Sequence, residues 1–281
     1  MRKKILIWAA VCMLLAIGLY VHDWHCAVRP VKRKPADLSF AAQKTVLSPA
    51  DYRLLFLQTG LGRAAIDDLK AQADSAENLI SELQKFQNQL TSPMEYHRRF
   101  LFFPITTSEL LTNGEGEPQN LVLPPLHAGD ILITKSTKTL FYRHGHAALV
   151  MNPEAGVIAE SMLIGTNSDL FGIEGWLSYP SLLILRPKYA AQETVDRAVT
   201  FAREKLLGVP YQLLTGLLQK NKASNDQVNG TQCAHLVWQA YYQAGVSLDS
   251  DGSWLVTPHD LAASDELEIV FSYGFGEDGK W

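Results

Sequence analysis

Apolar residues follow three successive patterns along the chain. Residues 5–21 form an uninterrupted apolar run. Over residues 48–103 the apolar positions recur at helical spacing, for example at 66, 69, 73, 76, 80 and 83. After a Gly- and Asn-rich loop at residues 112–120, short apolar runs bounded by turn residues are typical of strands. This order predicts an apolar N-terminal segment, a helical segment and a strand-rich domain.

The strand-rich part has five predicted strands, at residues 129–135, 144–151, 156–161, 181–187 and 266–273. Two predicted helices, "AQETVDRAVTFAREKLL" and "CAHLVWQAYYQAG", lie between the fourth and fifth strands. Mostly antiparallel strands with segregated helices indicate an α+β fold. We therefore divide the chain into residues 1–35, a linker and helical extension at 36–120, and a strand-rich domain at 121–281.

The N-terminal sequence "MRKKILIWAAVCMLLAIGLYVHDWHC" has a basic start and then 17 apolar residues from Ile5 to Val21. This length is at the lower limit for a bilayer-spanning helix. A cleaved signal peptide would end in small residues, whereas this run ends in the bulky "LYVHDW". We interpret it as an uncleaved membrane anchor with the remaining chain outside the cytoplasm. Secretion after cleavage is the alternative.

The charge distribution argues against nucleic-acid binding. Residues 1–35 hold seven of the 25 Lys and Arg residues but one of the 29 Asp and Glu residues. The remainder therefore carries 18 basic and 28 acidic residues, a net charge of −10. An acidic surface repels a phosphate backbone, so we expect no nucleic-acid partner. The sequence indicates no oligomeric state.

Of the three cysteines, Cys12 and Cys26 lie in or beside the apolar run, and Cys233 alone belongs to the folded domain. One cysteine cannot form a disulfide within the domain. The segment "NGTQCAHLVWQAYYQAG" places Cys233 in the first turn of a helix, where free N–H groups and the helix dipole favour a thiolate. A buried core cysteine is the alternative interpretation. His235 points away from Cys233 along the helix and is interpreted as structural or exposed.

The segment "RHGHAALV" offers two histidines, and His146 is the stronger candidate for a buried base because it enters an apolar run. His144 lies nearer the strand edge, although alternation in one strand would put both on one face. The next residues, "NPEAGVIAES", predict a hairpin. If its loop is 152–156, Ala148 faces Glu160, and His146 lies diagonally from Glu160 on the same face. A loop shorter by one residue would separate them.

Five segments in this order, "PLHAGDILI", "RHGHAALV", "VIAES", "LGVPYQLL" and "TQCAHLVWQAY", resemble the circularly permuted NlpC-type papain-fold hydrolases. These form the YiiX-like group, related to lecithin:retinol acyltransferase. The resemblance covers residues 124–273. In the permuted group the histidine strand precedes the cysteine helix, as it does here. The resemblance implies a permuted papain-like domain.

The resemblance further implies roles for individual residues. Cys233 is the expected nucleophile, His146 the general base, and Glu160 the residue that orients His146, at a position that varies in the family. Tyr211 matches a tyrosine that lines the site. It is expected to bind substrate or oxyanion through its hydroxyl, or to be an aromatic core residue. The implied reaction is acyl transfer without cofactor or metal.

The implied substrate is most simply a cell-envelope peptide amide. A lipid or acyl substrate is the second possibility, because "LLTGLL" at residues 213–218 is apolar and follows Tyr211. Two other classes of function compete. His144 and His146, with Glu160 or Asp130, would be ligands of a zinc hydrolase, although no HExxH pattern occurs and Cys233 would have no role. A non-catalytic binding module would have an unreactive thiol.

Overall fold

The structure is a computed structural model that describes residues 2–28, 33–100, 106–139, 142–215, 228–276, 278–279 and 281. The α-helices are α1 (Arg2–His25), α2 (Phe40–Gln43), α3 (Pro49–Thr59), α4 (Arg63–Gln72), α5 (Ala76–Thr91), α6 (Glu174–Leu177), α7 (Gln192–Phe201), α8 (Cys233–Gln243) and α9 (Pro258–Ala262). A π-helical turn, Ala202–Leu206, continues α7.

The strands form two antiparallel sheets. They are β1 (Glu95–Phe100), β2 (Thr106–Thr112), β3 (Ile131–Thr134), β4 (Thr137–Thr139), β5 (His146–Asn152), β6 (Val157–Glu160), β7 (Asp169–Gly172), β8 (Leu182–Pro187) and β9 (Leu267–Tyr273). The larger sheet has the order β7-β6-β5-β3-β8-β9, and the smaller one has the order β1-β2-β4. All five predicted strands are present in the larger sheet. The structure therefore confirms an α+β fold with mostly antiparallel strands.

Both faces of the larger sheet are covered, so consecutive residues in its central strands are apolar, as in Ile131–Ile133 of β3 and Ala147–Met151 of β5. On one face, Leu132 and Ala148 share a core with α3, α4 and α5. On the other face, Ile131 and Leu149 share a core with α7 and α8. The alternation follows from the period of two in a strand, since neighbouring residues point to opposite faces.

Residues 233–241 of helix α8 are all buried, and the helix packs against β5, as its apolar positions 233, 237, 240, 241 and 244 predict. The hydroxyl of Tyr241 donates a hydrogen bond of 2.5 Å to the carbonyl of Gly129, at the start of β3. Just beyond the end of the helix, Gly245 adopts a φ of 95°. The sequence predicted this termination, because glycine accepts the left-handed conformation at a helix end.

The prediction that residues 48–103 are helical is wrong for the final part of that range. Helix α5 ends at Thr91, and Pro93 follows Ser92, which is extended. A proline disfavours the helical conformation of the residue before it, so the helix cannot continue. The chain then forms β1, which pairs along its length with β2. Strands β4 and β7 were not predicted either, and both have at most four residues.

The segment 36–47, expected to be a linker, packs against the helices. Leu38, Ala41 and Leu47 are buried in the same core as α3 and α5. The Lys70 side chain in α4 donates hydrogen bonds to the carbonyls of Ala41 and Lys44. These contacts fix the segment to the domain rather than leaving it as a free tether.

Helix α1 contains the predicted apolar segment. Residues Lys4–His25 are long and apolar enough to cross a membrane, with a mean hydropathy of 2.3, and this window is not buried by the rest of the chain. Such a helix near the N-terminus acts as an anchor or as a signal sequence. Its last turn contacts the folded domain through Asp23, which bonds to Lys138 and Arg143.

Candidate active site

His146 is the first residue of β5, and the conformation of Gly145 determines where that strand begins. Gly145 has a φ of 71°, and a Cβ there would lie 2.3 Å from the Trp281 ring and 2.7 Å from the Thr134 carbonyl oxygen. A residue other than glycine would therefore be both strained and crowded. Because Gly145 interrupts the extended conformation and β5 begins at His146, the expectation that His144 and His146 lie in one strand with their side chains on the same face is wrong.

The predicted register beside the site is confirmed, but the predicted loop is wrong. Asn152 pairs with Val157, so the loop is 153–156, and a β-bulge between Val150 and Asn152 restores the register that the shorter loop would shift. Leu149 pairs with Ala159 and Val150 with Ile158, which aligns Ala148 with Glu160. His146 therefore lies diagonally from Glu160 on the same face, and its Nε2 is 2.8 Å from Glu160 Oε2. Both side chains are buried. The ion pair explains how an acidic residue is tolerated at the end of an apolar strand.

Trp176 completes the surroundings of Glu160, and sequence analysis did not identify it. Its indole Nε1 donates a hydrogen bond of 3.1 Å to Glu160 Oε2. Its ring also stacks on His146, with the ring centroids 5.4 Å apart and the planes 23° from parallel. The short helix α6 holds Trp176 in this place. A buried tryptophan needs an acceptor for its N–H, but the sequence does not reveal which acceptor is near.

Cys233 is the first residue of α8 and is 7% exposed. The preceding Gln232 is the N-cap residue: its Oε1 accepts a hydrogen bond of 2.9 Å from the Ala234 N–H. The same oxygen accepts from the Cys233 thiol at 3.4 Å, and Gln232 Nε2 donates to the Val256 carbonyl. Gln232 was also missed by sequence analysis. It fixes both the start of the helix and the position of the sulfur.

Cys233 lies close enough to His146 to raise the pKa of the imidazole. Because Nε2 of His146 bonds to Glu160, Nδ1 is the nitrogen left to meet the thiol. Burial alone would lower the pKa of His146, but Cys233 and Glu160 raise it to about 10. The surroundings thus favour the protonated imidazolium form of His146. Ala148 and Val150 lie on the same face of β5 as His146, and they pack in the core on the other side of the sheet from Cys233. His146 can approach Cys233 because it is the first residue of β5, at the end of the strand.

Tyr211 is half-buried beside Cys233 rather than in the core. Its backbone N–H donates to the Thr166 carbonyl, and it forms an isolated bridge with Thr231, two residues before Cys233. Burial and the nearby Cys233 raise the pKa of Tyr211, so its hydroxyl keeps its proton at neutral pH.

The remaining histidines of the two motifs are bonded elsewhere. His144 Nε2 lies 3.1 Å from Thr139 Oγ1, and Nδ1 lies 2.8 Å from the Gly145 carbonyl oxygen. Burial lowers the pKa of His144. His235, interpreted as structural or exposed, is buried, and its Nδ1 lies 3.1 Å from Thr231 Oγ1.

The zinc ligands suggested by the sequence do not converge. Asp130 is fully buried and forms two hydrogen bonds with Arg186, at 2.7 and 2.9 Å. In the described parts of the chain, the His, Cys, Asp and Glu groups close enough to share one ion are Asp249, Asp251 and Asp260. Each of these carboxylates accepts backbone N–H bonds from its own loop or helix cap, so local turn formation accounts for this cluster.

No protein-family model matches the sequence, and no curated protein matches it. Among solved structures, the chain is similar to the crystal structure of the metalloprotein yiiX from Escherichia coli O157:H7. The match covers 53% of this chain and 98% of that chain, with 14% sequence identity and a TM-score of 0.40. A likeness at this level does not assign the chain to a family.

Proposed function

We propose that the protein is a thiol-dependent hydrolase or acyltransferase that acts on an amide or acyl bond through Cys233, His146 and Glu160. The observation that carries the proposal is the position of the His146 ring, which bonds to the buried Glu160 through Nε2 and lies close enough to Cys233 for the thiol to raise its pKa. A nucleophile, a base and a residue that orients the base are the three parts of a catalytic triad. The chain order of the three residues is consistent with a circularly permuted papain-like domain.

In the proposed reaction, His146 takes the thiol proton and the Cys233 sulfur attacks the carbonyl carbon. The C–S bond forms as the carbonyl π bond becomes an oxyanion. Backbone N–H groups in the first turn of α8 and the hydroxyl of Tyr211 stabilise this charge. The imidazolium then protonates the leaving amine or alcohol, which leaves an acyl-enzyme. Water, or another acceptor deprotonated by His146, releases the acyl group.

Glu160 and Trp176 act in this scheme by holding the base. Glu160 accepts from His146 Nε2, which directs Nδ1 at the sulfur and stabilises the imidazolium. The Trp176 indole N–H donates a hydrogen bond to the same carboxylate oxygen, and its ring stacks on one face of the imidazole. The carboxylate is therefore held in a fixed orientation, as a preorganised site requires.

For the substrate we place cell-envelope peptide amides first, because the apolar helix α1 is consistent with a membrane-attached enzyme. One observation favours a lipid or acyl substrate as the second candidate. Leu213 and Leu214, next to Tyr211, and Ile164, near Glu160 in the chain, are all more than half exposed. Exposed apolar side chains near a nucleophile would bind an acyl chain. Residues 216–218 of the apolar segment "LLTGLL" lie outside the described residues.

The first test is the pH dependence of iodoacetamide alkylation at Cys233. The full-length chain is used in detergent, with Cys12→Ser and Cys26→Ser so that Cys233 is the thiol observed. We expect rapid alkylation at about pH 6, well below the range where an ordinary thiol reacts. His146→Ala should abolish this rapid reaction, because the cation that favours the thiolate is lost.

His144→Ala is the matched control, because His144 is a half-buried histidine of the same segment that bonds to Thr139 and Gly145. It should keep the rapid alkylation. A slow thiol that does not respond to His146→Ala would exclude the nucleophile assignment and favour a binding module. A positive result leads to kinetic assays with peptide amides and acyl esters.

A further inference from the structure

The last turn of α1 is joined to the folded domain by buried ion pairs. Asp23 lies 2.8 Å from Lys138 Nζ and 2.9 Å from Arg143 Nη2. The side chains of Lys138 and Arg143 are only 3% and 2% exposed. Two long cationic side chains that are almost fully removed from water require anionic partners.

Asp23 supplies one of the two carboxylates in this cluster. The other is Glu109 of β2, which bonds to Arg143 at 2.7 Å and lies 3.8 Å from Lys138. With α1 in place, two cations face two carboxylates. Loss of the Asp23 charge with α1 still in place would leave the two buried cations with Glu109 alone, and breaking a buried ion pair is strongly destabilising.

A second set of contacts holds the same turn. His22 Nε2 lies 3.2 Å from the Arg143 carbonyl oxygen. The His22 ring also stacks on Tyr142, with centroids 4.8 Å apart and planes 15° from parallel. Helix α1 therefore contacts both the side chain and the backbone of the segment that leads into β5. A flexible tether would make no such contacts.

The length of α1 places this junction at a bilayer surface. The apolar run Ile5–Val21 has 17 residues, or roughly 26 Å of helix, whereas a hydrocarbon core is about 30 Å thick. If the run spans the core, Asp23 lies at the level of the lipid headgroups. The residues that bind Asp23 must lie there too, so the domain rests directly on the membrane.

Exposed aromatic residues near the junction fit this position. Tyr20 and Trp24 of α1 are 60% and 69% exposed. On the folded domain, Tyr142 is 49% exposed and Tyr96 is 40% exposed. Tyr96 shares a sheet face with Glu109, because the neighbouring Arg98 pairs with Glu109. Tyrosine and tryptophan are the side chains that favour the membrane–water interface.

We propose that the domain is seated on a phospholipid bilayer with Tyr96 and Tyr142 among the headgroups, held there by the docking of an uncleaved α1 through Asp23. This proposal does not depend on the catalytic assignment, and its tests need no substrate. The partner surface is the bilayer itself. The docking also fixes the distance between the membrane and His146, which lies three residues beyond Arg143.

The first experiment measures contact with lipid. Single cysteines at positions 142 and 96 (Tyr142→Cys, Tyr96→Cys) are labelled with bimane in a chain that carries Cys12→Ser, Cys26→Ser and Cys233→Ser. The full-length protein is placed in phosphatidylcholine vesicles that contain a headgroup nitroxide lipid. The control is Tyr189→Cys, 84% exposed and beyond Pro187, at the opposite sheet end from Thr134 and His146.

We expect strong quenching at positions 96 and 142 and little at position 189. Equal quenching at all three positions, or none at 96 and 142, would overturn the proposed orientation. The mass of the full-length protein isolated from cell membranes gives an independent check. Retention of residues 1–28 is expected, and a mature chain that lacks them would overturn the proposal.

The second experiment tests the ion pairs. Asp23→Asn should lower the thermal unfolding midpoint in detergent and reduce the quenching at position 142. The control Asp37→Asn changes an exposed carboxylate that bonds only within its own turn to Ser39 among the described contacts, and it should change neither. If Asp23→Asn does not accumulate, Asp23→Glu, which keeps the charge, should accumulate. Asp23→Asn that behaves like Asp37→Asn would show that the junction does not hold the domain.

Discussion

His146 and Trp176 both bond to one oxygen of Glu160: the imidazole Nε2 is 2.8 Å away and the indole Nε1 is 3.1 Å away. This oxygen therefore has two partners, one from a strand and one from a short helix. The carboxylate cannot rotate without losing both bonds. This relationship defines which parts of the site orient the base, and the predictions below separate them.

Trp176→Phe keeps a ring over His146 but removes the N–H that Glu160 accepts. We expect the alkylation rate of Cys233 at about pH 6 to fall severalfold, because Glu160 is held less firmly. The loss of one buried hydrogen bond should cost about 1 kcal/mol of unfolding free energy. Rate and urea unfolding are measured on the same preparation. A variant that is destabilised but fully reactive would show that Trp176 supports the fold alone.

Glu160→Gln should shift the pH dependence of Cys233 alkylation. The Glu160 carboxylate is one of the groups that raise the pKa of His146, so its removal lowers that pKa. His146 would then lose its proton at a lower pH, and the alkaline limit of the ion-paired state would move down with it. The pH–rate profile is compared with that of Glu154→Gln, an exposed turn residue. Identical alkaline limits in the two variants would contradict a role for Glu160.

Gly145→Ala should destabilise the protein more than a comparable glycine substitution. Gly145 and Gly116 both have positive φ values, 71° and 82°. A Cβ at Gly116 meets nothing within 4 Å, whereas one at Gly145 meets Trp281 and the Thr134 carbonyl. We expect about 1 kcal/mol for Gly116→Ala and about 3 kcal/mol for Gly145→Ala. Urea unfolding measures the loss of unfolding free energy in both variants. Equal losses would show that the structure around Gly145 shifts to relieve the crowding.

Asp130→Asn tests whether the carboxylate before β3 is structural. Asp130 is fully buried against Arg186, and Arg186 also bonds to Asp68 of α4 at 2.9 Å. Removing one partner of a buried pair should cost about 3 kcal/mol, whereas Asp68→Asn, at the more exposed end, should cost about 1 kcal/mol. Alkylation of Cys233 should be unchanged in the folded fraction. Loss of reactivity without loss of stability would give Asp130 a direct role in the site.

The placement of His146 and Glu160 in one hairpin was predictable from the sequence, whereas the loop that joins its strands was not. His146 and Glu160 lie on one face because a β-bulge between Val150 and Asn152 offsets a loop one residue shorter than predicted, and no sequence pattern indicated that bulge. Trp176 was not predictable in this way, because β7 and the start of α6 separate it from Glu160 in the chain. No periodic pattern in the sequence specifies that this intervening segment brings Trp176 back to Glu160.

The same reasoning explains two other differences. Strand β1 was missed because apolar residues at helical spacing continue past the end of α5. Pro93 is the residue that indicates where the helix ends. The docking of α1 was missed because Asp23 bonds to residues more than a hundred positions away. A charged residue after an apolar run gives no sign of such a distant partner.

The order of the elements also bears on how the protein assembles. His146 and Glu160 lie 14 positions apart in one hairpin, and such local contacts form early in folding. Cys233 belongs to α8, and this helix packs against β5 only after most of the chain has been synthesised. The thiol therefore meets its histidine only when α8 docks. Under the proposed function, a nascent or partly folded chain holds base and acid but cannot attack any substrate.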